Sequence, residues 1–600
     1  MLDVEKTKWD LSPLLAGDED PKIKEYRKVI TAAHKTFVTK WKSREDYLNN
    51  PKILKEALDD YERLMREHGT CGAEGYYFRL RREKDKSNAI VKGKFQQMVD
   101  FSTALENELH FFIIRLGKVP KQQQQKFLKA PELKPYHHYL KCLFVNAQYM
   151  LSESEEKIMN LKSSVAHSNW VKMVSESISK EERTVLDETE KKSVKNFSEL
   201  TSLISSKNKK VRDEAASAIH EITSANSPIA EAEINAILQN KKIDDELRGM
   251  SRPDLARHIS DDIDSAVVDA LVASVTARFD IAKRFYILKA KLLGLPKLEY
   301  HERNVEYGSQ EKKYNYEDAL KLVHMVLSKL DPEFEAILEE YSKNGQIDVY
   351  PQKGKRDGAF CDHYLITQPT YILLNHTDKL RDVLTIAHEV GHGINNELIK
   401  IKQHSLYFDT PLATAEVAST FMEDFVLQEL IREADDELRL SLLVAKLGDD
   451  VSTIIRQVAC YKFEQELHAE YRKRSHLTKE EIGTIFQKNM AAYMGSAVEQ
   501  SRGSENWWVY WSHIRRFFYV YSYASGLLIS KALQREVKKD PKFIEKVKVF
   551  LSAGTSDSPQ NIFKALGIDI TKKTFWDEGL DEVEQTLEET EALAKKLGKI

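Results

Sequence analysis

Two histidines and a glutamate carry the strongest chemical signal in the sequence. His388 and His392 stand four residues apart, with Glu389 between them, in the stretch Asp382-Val-Leu-Thr-Ile-Ala-His-Glu-Val-Gly-His-Gly-Ile-Asn-Asn-Glu-Leu398. Leu380, Val383, Leu384, Ala387, Val390 and Ile394 recur at helical spacing, so the stretch reads as a buried helix. Residues four apart share a helix face, which puts the two imidazoles one turn above each other. Two neutral imidazoles can ligate Zn²⁺, and the adjacent carboxylate can take a proton from a water that the metal has acidified. A helix that carries two histidines and a glutamate by chance would look the same, so a third ligand has to decide.

Glu416 is the candidate for that ligand. A hydrolytic zinc usually takes three protein ligands and leaves one position for water. Glu416 follows His392 by 24 residues, enough chain for the first helix to end, turn and return antiparallel. Its segment, Pro411-Leu-Ala-Thr-Ala-Glu-Val-Ala-Ser-Thr-Phe-Met-Glu-Asp-Phe425, is again helical in pattern. Ala413, Ala415, Ala418 and Ser419 are small, which lets this helix approach its neighbour closely. Glu416, Ser419 and Glu423 fall at i, i+3 and i+7 on one face, and orienting the zinc-bound imidazoles would give that polar row a purpose. A solvated charged face is the alternative for Glu423 and Asp424.

These motifs resemble the thimet-oligopeptidase-like zinc peptidases, and within them the oligoendopeptidase F branch. The resemblance rests on His388-Glu-Val-Gly-His-Gly393 followed by Ala415-Glu-Val-Ala-Ser-Thr420. It continues through Trp9-Asp-Leu-Ser-Pro-Leu14, Asp348-Val-Tyr-Pro-Gln-Lys-Gly-Lys-Arg-Asp-Gly-Ala-Phe360, Tyr371-Ile-Leu-Leu-Asn375, Phe518-Tyr-Val-Tyr-Ser-Tyr-Ala-Ser-Gly526 and Phe575-Trp-Asp-Glu-Gly579, nearly end to end. Two departures stand out: Tyr300-His-Glu-Arg303 in place of a tyrosine-aspartate pattern, and Asn395-Asn396 where a further histidine is common. Neither touches a metal ligand. The resemblance implies two helical lobes enclosing a deep channel that admits unfolded peptides. It also implies that a histidine and tyrosines of the aromatic segment, here His513, Tyr519 and Tyr523, bind the substrate carbonyl and its developing oxyanion.

Composition narrows the class. Of 600 residues, 31% are charged, and the two signs nearly balance at a net −4, which argues against a nucleic-acid or polyanion partner. Only 15 Pro and 23 Gly occur, and long stretches repeat with the helical period, so a mainly α fold is expected. Cys71, Cys142, Cys361 and Cys460 are scattered without a Cys-x-x-Cys pair, which fits a reducing compartment. The opening Met-Leu-Asp-Val-Glu-Lys-Thr-Lys has no apolar core of a signal peptide, and no run of 18 apolar residues occurs. A cytoplasmic protein without a membrane partner is the expectation; its oligomeric state is left open.

Along the chain, 51–67 and 89–116 read as long amphipathic helices, and Ser152-Glu-Ser-Glu155 as a capping box. Residues 1–195 are expected as an N-terminal helical lobe and 196–600 as the zinc peptidase region, with the polar stretch 186–208 as the seam. The pattern is helical over 211–293, stops at Gly294-Leu-Pro296, and gives one more helix over 315–342. Three short strands, 346–350, 359–366 and 371–374, then form the one sheet expected in the chain, just before the metal helix. Its edge could pair with an extended peptide, and Gly358, Ala359 and Phe360 are the candidates for substrate binding there. The sheet could equally serve only to brace the metal helix. From 438 onward the pattern is again helical.

One segment breaks that pattern. Residues 507–523 hold ten aromatic or imidazole side chains in 17 positions, among them His513, Tyr519, Tyr521 and Tyr523. Aromatic stripes are usually core, yet tyrosine hydroxyls need partners. If the segment is helical, Tyr519 and Tyr523 share a face and Tyr521 lies opposite, as a packing residue. His258, His363, His376 and His404 have no partner at ligand spacing and read as surface or satisfied core residues. The function expected is a metalloendopeptidase with one Zn²⁺ on His388, His392 and Glu416. Glu389 is its general base and short unfolded oligopeptides its substrates. A zinc hydrolase of non-peptide amides and a non-enzymatic helical scaffold are the alternatives; the sheet beside the metal disfavours the first, and the intact Glu389 disfavours the second.

Overall fold

The structure is a computed structural model that describes residues 2–308 and 312–600. It is mainly helical. The described strands are β1 (Glu182–Leu186), β2 (Lys192–Asn196), β3 (Leu298–Glu299), β4 (Ile347–Asp348), β5 (Phe360–Asp362), β6 (Tyr371–Leu373) and β7 (Val498–Glu499). They make three small sheets: the antiparallel hairpin β1–β2, the parallel pair β3–β7, and a three-stranded sheet in the order β4-β6-β5. The chain divides into two compact units. One comprises Met1–Gln148, Glu311–Leu430 and Leu533–Ile568; the other comprises Tyr149–Gln310, Ile431–Ala532 and Asp569–Ile600.

In the first unit the extended start of the chain is pinned to the three-stranded sheet. The Trp9 indole N–H donates to the carbonyls of Gln346 (3.1 Å) and Ile372 (2.8 Å), and the Tyr371 hydroxyl donates back to the carbonyl of Asp10 (2.8 Å). Leu14 and Leu15 join Tyr76, Phe78, Leu80, Val91 and Leu373 in one buried apolar cluster. The sheet lies directly before the helix Leu380–Lys402, which holds His388, Glu389 and His392. The Asp382 carboxylate accepts the main-chain N–H groups of Thr377 (2.6 Å) and Lys379 (3.0 Å) and so fixes the start of that helix. Val383, Ile386, Ala387, Val390, Ile394 and Leu398 form its buried side.

Two glycines let that helix be approached from both sides. A Cβ on Gly391 would lie 2.7 Å from the carbonyl oxygen of Ala418 and 2.7 Å from the Cα of Ser419, so the backbone of the next helix, Val417–Glu433, sits in the place of a side chain. A Cβ on Gly393 would run into the ring of Tyr341. The hydroxyl of that buried tyrosine donates to the Gly393 carbonyl (3.1 Å) and the Glu397 carboxylate (2.9 Å), tying the helix Pro332–Lys343 to the metal helix. A short 3₁₀ turn, Leu412–Thr414, leads into Val417–Glu433, and Glu416 stands just before it, its carbonyl accepting the N–H of Thr420 (3.1 Å).

Three expectations need correction. The helix expected over 315–342 is two helices, Tyr316–Leu330 and Pro332–Lys343, because Asp331 caps the second through the N–H of Glu333 (2.8 Å) and Pro332 takes its first position. The sheet before the metal helix has company in β1–β2 and β3–β7. The polar stretch 186–208, expected as a seam, folds inside the second unit: the Asp187 carboxylate closes a turn by accepting the N–H groups of Thr189 (2.8 Å) and Lys191 (3.2 Å), and β2 follows. Position 195 therefore lies within β2.

The close approach at Gly391 sets up a stability comparison. Gly391→Ala should lower stability by about 1–3 kcal/mol, because overpacking against a backbone outweighs the gain in helix propensity. Gly93→Ala is the control: it lies in the helix Ala89–Gly117 with nothing within 4 Å of its would-be Cβ, and should stabilise by up to about 1 kcal/mol. Urea unfolding of both variants measures this, and a Gly391→Ala protein as stable as its parent would contradict the packing described.

Candidate metal centre and active site

The three expected ligands converge. The Nε2 atom of His388 lies 3.4 Å from Oε2 of Glu416, and the Nε2 atom of His392 lies 3.6 Å from the same oxygen. The imidazole centroids are 5.0 Å apart at 81° to each other, and the three ligand atoms all lie within 4.8 Å of one another. Tetrahedral ligands ~2.1 Å from one ion sit about 3.4 Å from each other, so the spacing suits a single small divalent cation. The remaining nitrogen of His388, Nδ1, faces Oε2 of Glu423 at 2.9 Å, which turns Nε2 toward Glu416. Ser419 Oγ donates to the Glu416 carboxylate at 3.1 Å and steadies it. The polar row 416, 419, 423 is thus occupied with the histidines and with itself.

The electrostatics of this group favour a cation. Burial would depress both imidazoles, and His392 is pushed down to about 4. His388 is instead held well above its ordinary value: burial opposes its charge, but Glu416 and Glu423 on either side outweigh it. Burial also opposes the charge on Glu416, yet the hydrogen bond from His388 and the charges of both histidines bring it down to about 2. An anionic Glu416 between two imidazoles is thus balanced by a proton on His388, a place that a divalent ion bound to nitrogen and oxygen would fill more fully. Glu389 is itself buried. Burial holds its carboxyl up to about 7, with Glu416 and Glu423 adding to the rise, while His388 and the main-chain N–H of Cys361 pull it down.

That amide comes from β5, which has a strand partner on one side only among the described residues. Phe360 opens β5, with its ring 6.2 Å from Trp9 and the Arg356 guanidinium 5.1 Å over it. Gly358, at φ +78°, and Ala359 precede it, and the Gly358 carbonyl accepts from the Asn375 side-chain amide (2.6 Å). The other single histidines have ordinary partners: His258 bonds Ser265 and Tyr461, His376 bonds the Tyr314 carbonyl, His404 bonds the Pro135 carbonyl, and His363 lies against Phe408.

The aromatic segment belongs to the second unit and is not one helix. It runs through the 3₁₀ turns Ser504–Val509 and Ser512–Arg516, then a reversal, then the helix Tyr521–Lys539. Even so it brings His513, Tyr519 and Tyr523 together. The two hydroxyls are 3.0 Å apart, and His513 Nε2 lies 3.4 Å from the Tyr523 hydroxyl. Trp511 donates its indole N–H to His513 Nδ1 (2.9 Å), which leaves Nε2 as the protonated nitrogen of a neutral ring. Burial depresses the His513 pKa, followed by the charges of Arg516 and Arg456, so the neutral form is favoured. Tyr521 points away, fully buried, and donates to the Asp261 carboxylate (2.7 Å); it is an anchor with a polar partner, more than the packing residue expected.

Sequence reasoning passed over three contributors. Gly391 sits inside the His-Glu-x-x-His motif but read only as a spacer. Tyr341, 52 residues before Gly393, has no local signal that links it to the metal helix. The Cys361 main-chain amide is invisible to any reading of side chains.

Comparison with known proteins gives the family. The sequence profile of Peptidase family M3 matches residues 202–582, and that described as Oligopeptidase F matches residues 115–180. Group B oligopeptidase PepB of Streptococcus agalactiae is 25% identical over 612 residues, covering 99% of this chain and 98% of its own. Oligopeptidase PepF of Bacillus subtilis is 24% identical over 597 residues, covering 96% and 87%. The crystal structure of oligoendopeptidase-F from Enterococcus faecium has a TM-score of 0.72 with 20% identity, covering 96% of this chain and 99% of its own. With more than half of its length matched by the family, the chain belongs to Peptidase family M3, in its oligoendopeptidase F branch, and is a metallopeptidase.

Proposed function

We propose that the protein is a zinc-dependent oligoendopeptidase that hydrolyses short unfolded peptides. The observation that carries this is the convergence of His388 Nε2 and His392 Nε2 on one oxygen of Glu416, with Glu389 buried beside them. His388, His392 and Glu416 would hold the ion, and Glu423 would keep His388 in the right tautomer. Zinc bound there supplies a Lewis acid and makes water acidic enough to deprotonate near neutral pH.

Glu389 is then the proton carrier. A buried carboxylate beside the metal ligands can accept a proton from water and release it to the leaving amine. The open side of β5, entered through Gly358, Ala359 and Phe360, offers main-chain groups to an extended peptide. His513, Tyr519 and Tyr523 are assigned to the oxyanion by the resemblance of their segment, and the convergence of three donors is what that role needs. The four cysteines, all outside disulfides, support a cytoplasmic setting. No described helix is long and apolar enough to cross a membrane.

Glu389→Gln is the direct test. The amide is nearly isosteric, so metal content should stay at its parent level while kcat for a fluorogenic peptide falls roughly 100-fold or more. Near-parental turnover would assign the base elsewhere.

The tyrosines give a second test. Tyr523→Phe should lower kcat by roughly 100-fold, about 3 kcal/mol, with KM and thermal stability little changed. Tyr521→Phe should do the reverse: it removes one donor from the buried Asp261 carboxyl, which keeps Arg257 at 3.3 Å, costing about 1 kcal/mol of stability, with kcat of the folded enzyme within a few-fold. Equal, small effects on kcat at both positions would return Tyr523 to a packing role.

A further inference from the structure

The reversal that brings His513 to the tyrosines is built from two residues unsuited to it. Phe517 and Phe518 have φ of +47° and +57°, adjacent left-handed positions without a glycine. Such residues are strained, and they persist only where their surroundings hold them. Here one of the holders is Glu464. This residue lies on the helix Arg456–Arg474, is fully buried, and accepts the main-chain N–H of Phe518 at 2.6 Å. One turn further, His468 lies against both rings, with centroids 5.2 Å from Phe517 and 4.7 Å from Phe518. The other oxygen of Glu464, Oε1, is buried without a hydrogen-bond partner among the described residues.

A buried carboxyl that makes one hydrogen bond is a poor choice for stability alone. Its single bond goes to the main-chain amide of Phe518, inside the reversal. The neighbouring supports are already satisfied: the Arg515 guanidinium pairs with Glu233 (2.7 Å) and donates to the carbonyls of Trp508 (2.6 Å), Val509 (2.9 Å) and Trp511 (3.1 Å). They fix the chain before the reversal. After it, Ser522 Oγ donates to the Tyr519 carbonyl (2.8 Å) and starts the helix that carries Tyr523. Between the two, the rings of Phe517 and Phe518 are packed by His167, Tyr461 and His468, and the Phe518 N–H is held by Glu464.

We propose that Glu464 is a positioning residue for peptide hydrolysis: by holding the strained Phe517–Phe518 turn, it keeps His513, Tyr519 and Tyr523 converged. This rests on the oxyanion role given to that cluster above. Without the acceptor, the Phe518 amide is orphaned and the turn relaxes toward φ < 0, separating the histidine from the tyrosines while leaving the metal ligands of the other unit untouched.

The experiment compares five variants of the full chain in their metal-loaded form. Glu464→Leu and Glu464→Met remove the acceptor at similar volume. They should lower kcat by roughly 10–100-fold with KM and metal content unchanged, and speed amide hydrogen exchange in the segment 513–523. Glu464→Gln keeps an oxygen for the Phe518 N–H and should stay within about threefold of the parent. Glu464→Leu combined with Tyr523→Phe should be no slower than Tyr523→Phe alone, since both remove one function. Glu464→Leu within twofold of the parent, additive losses in the double variant, or failure of both acceptor-less proteins to fold would each overturn the proposal. If Tyr523→Phe itself keeps full kcat, the oxyanion reading fails first, and this inference with it. A slow Tyr523→Phe beside a fast Glu464→Leu rejects the inference alone.

Discussion

The site depends on how closely two backbones approach at Gly391. The metal helix can present two imidazoles on one face, but their third partner must come from another segment at hydrogen-bond range. With no side chain at Gly391, the main chain at Ala418 and Ser419 moves into the space where a Cβ would stand. Glu416 is two residues before that contact and Glu423 four residues after it, so both carboxylates reach His388 from one rigid helix start. A larger residue at 391 would separate the helices, and neither carboxylate could compensate by rotation alone. On the opposite side Gly393 admits the ring of Tyr341, which fixes the metal helix against its other neighbour. The glycines weaken the helix locally and are placed where close packing repays that.

The group assembled there is not one a protein would build for stability. Two carboxylates flank a half-buried imidazole, and a third, Glu389, is buried so far that its carboxyl is held up to about 7. Buried charges without full compensation cost stability, and perturbed groups of this kind concentrate where chemistry is done. The same logic runs through the second unit, where a buried carboxyl and two left-handed phenylalanines hold the turn before Tyr519.

Much of this was legible in the sequence, for identifiable reasons. The metal helix carries its apolar period and both histidines within one stretch, and the small residues around Glu416 announce a close approach. Ser152 and Glu155 form the capping box their spacing suggests. What was not legible depends on partners far along the chain or on backbone geometry. β3 and β7 are two residues each and pair across about two hundred positions, so neither has a local pattern. The break at Asp331 was readable from the Asp-Pro pair but was masked by continuous apolar spacing on either side. Nothing about phenylalanine suggests φ > 0, so the reversal at 517–518 could not be foreseen. Glu464 did leave a trace: it falls on the same helix stripe as Cys460, Tyr461, Leu467, His468 and Tyr471, a lone carboxyl among buried neighbours.

The central claim is that His388, His392 and Glu416 hold one zinc ion, and anomalous diffraction across the zinc absorption edge tests it most directly. The account predicts one anomalous peak per chain, ~2.0–2.2 Å from His388 Nε2, His392 Nε2 and a Glu416 carboxylate oxygen. A zinc-supplemented crystal with no peak at these three residues, or with its peak on other ligands, would contradict it.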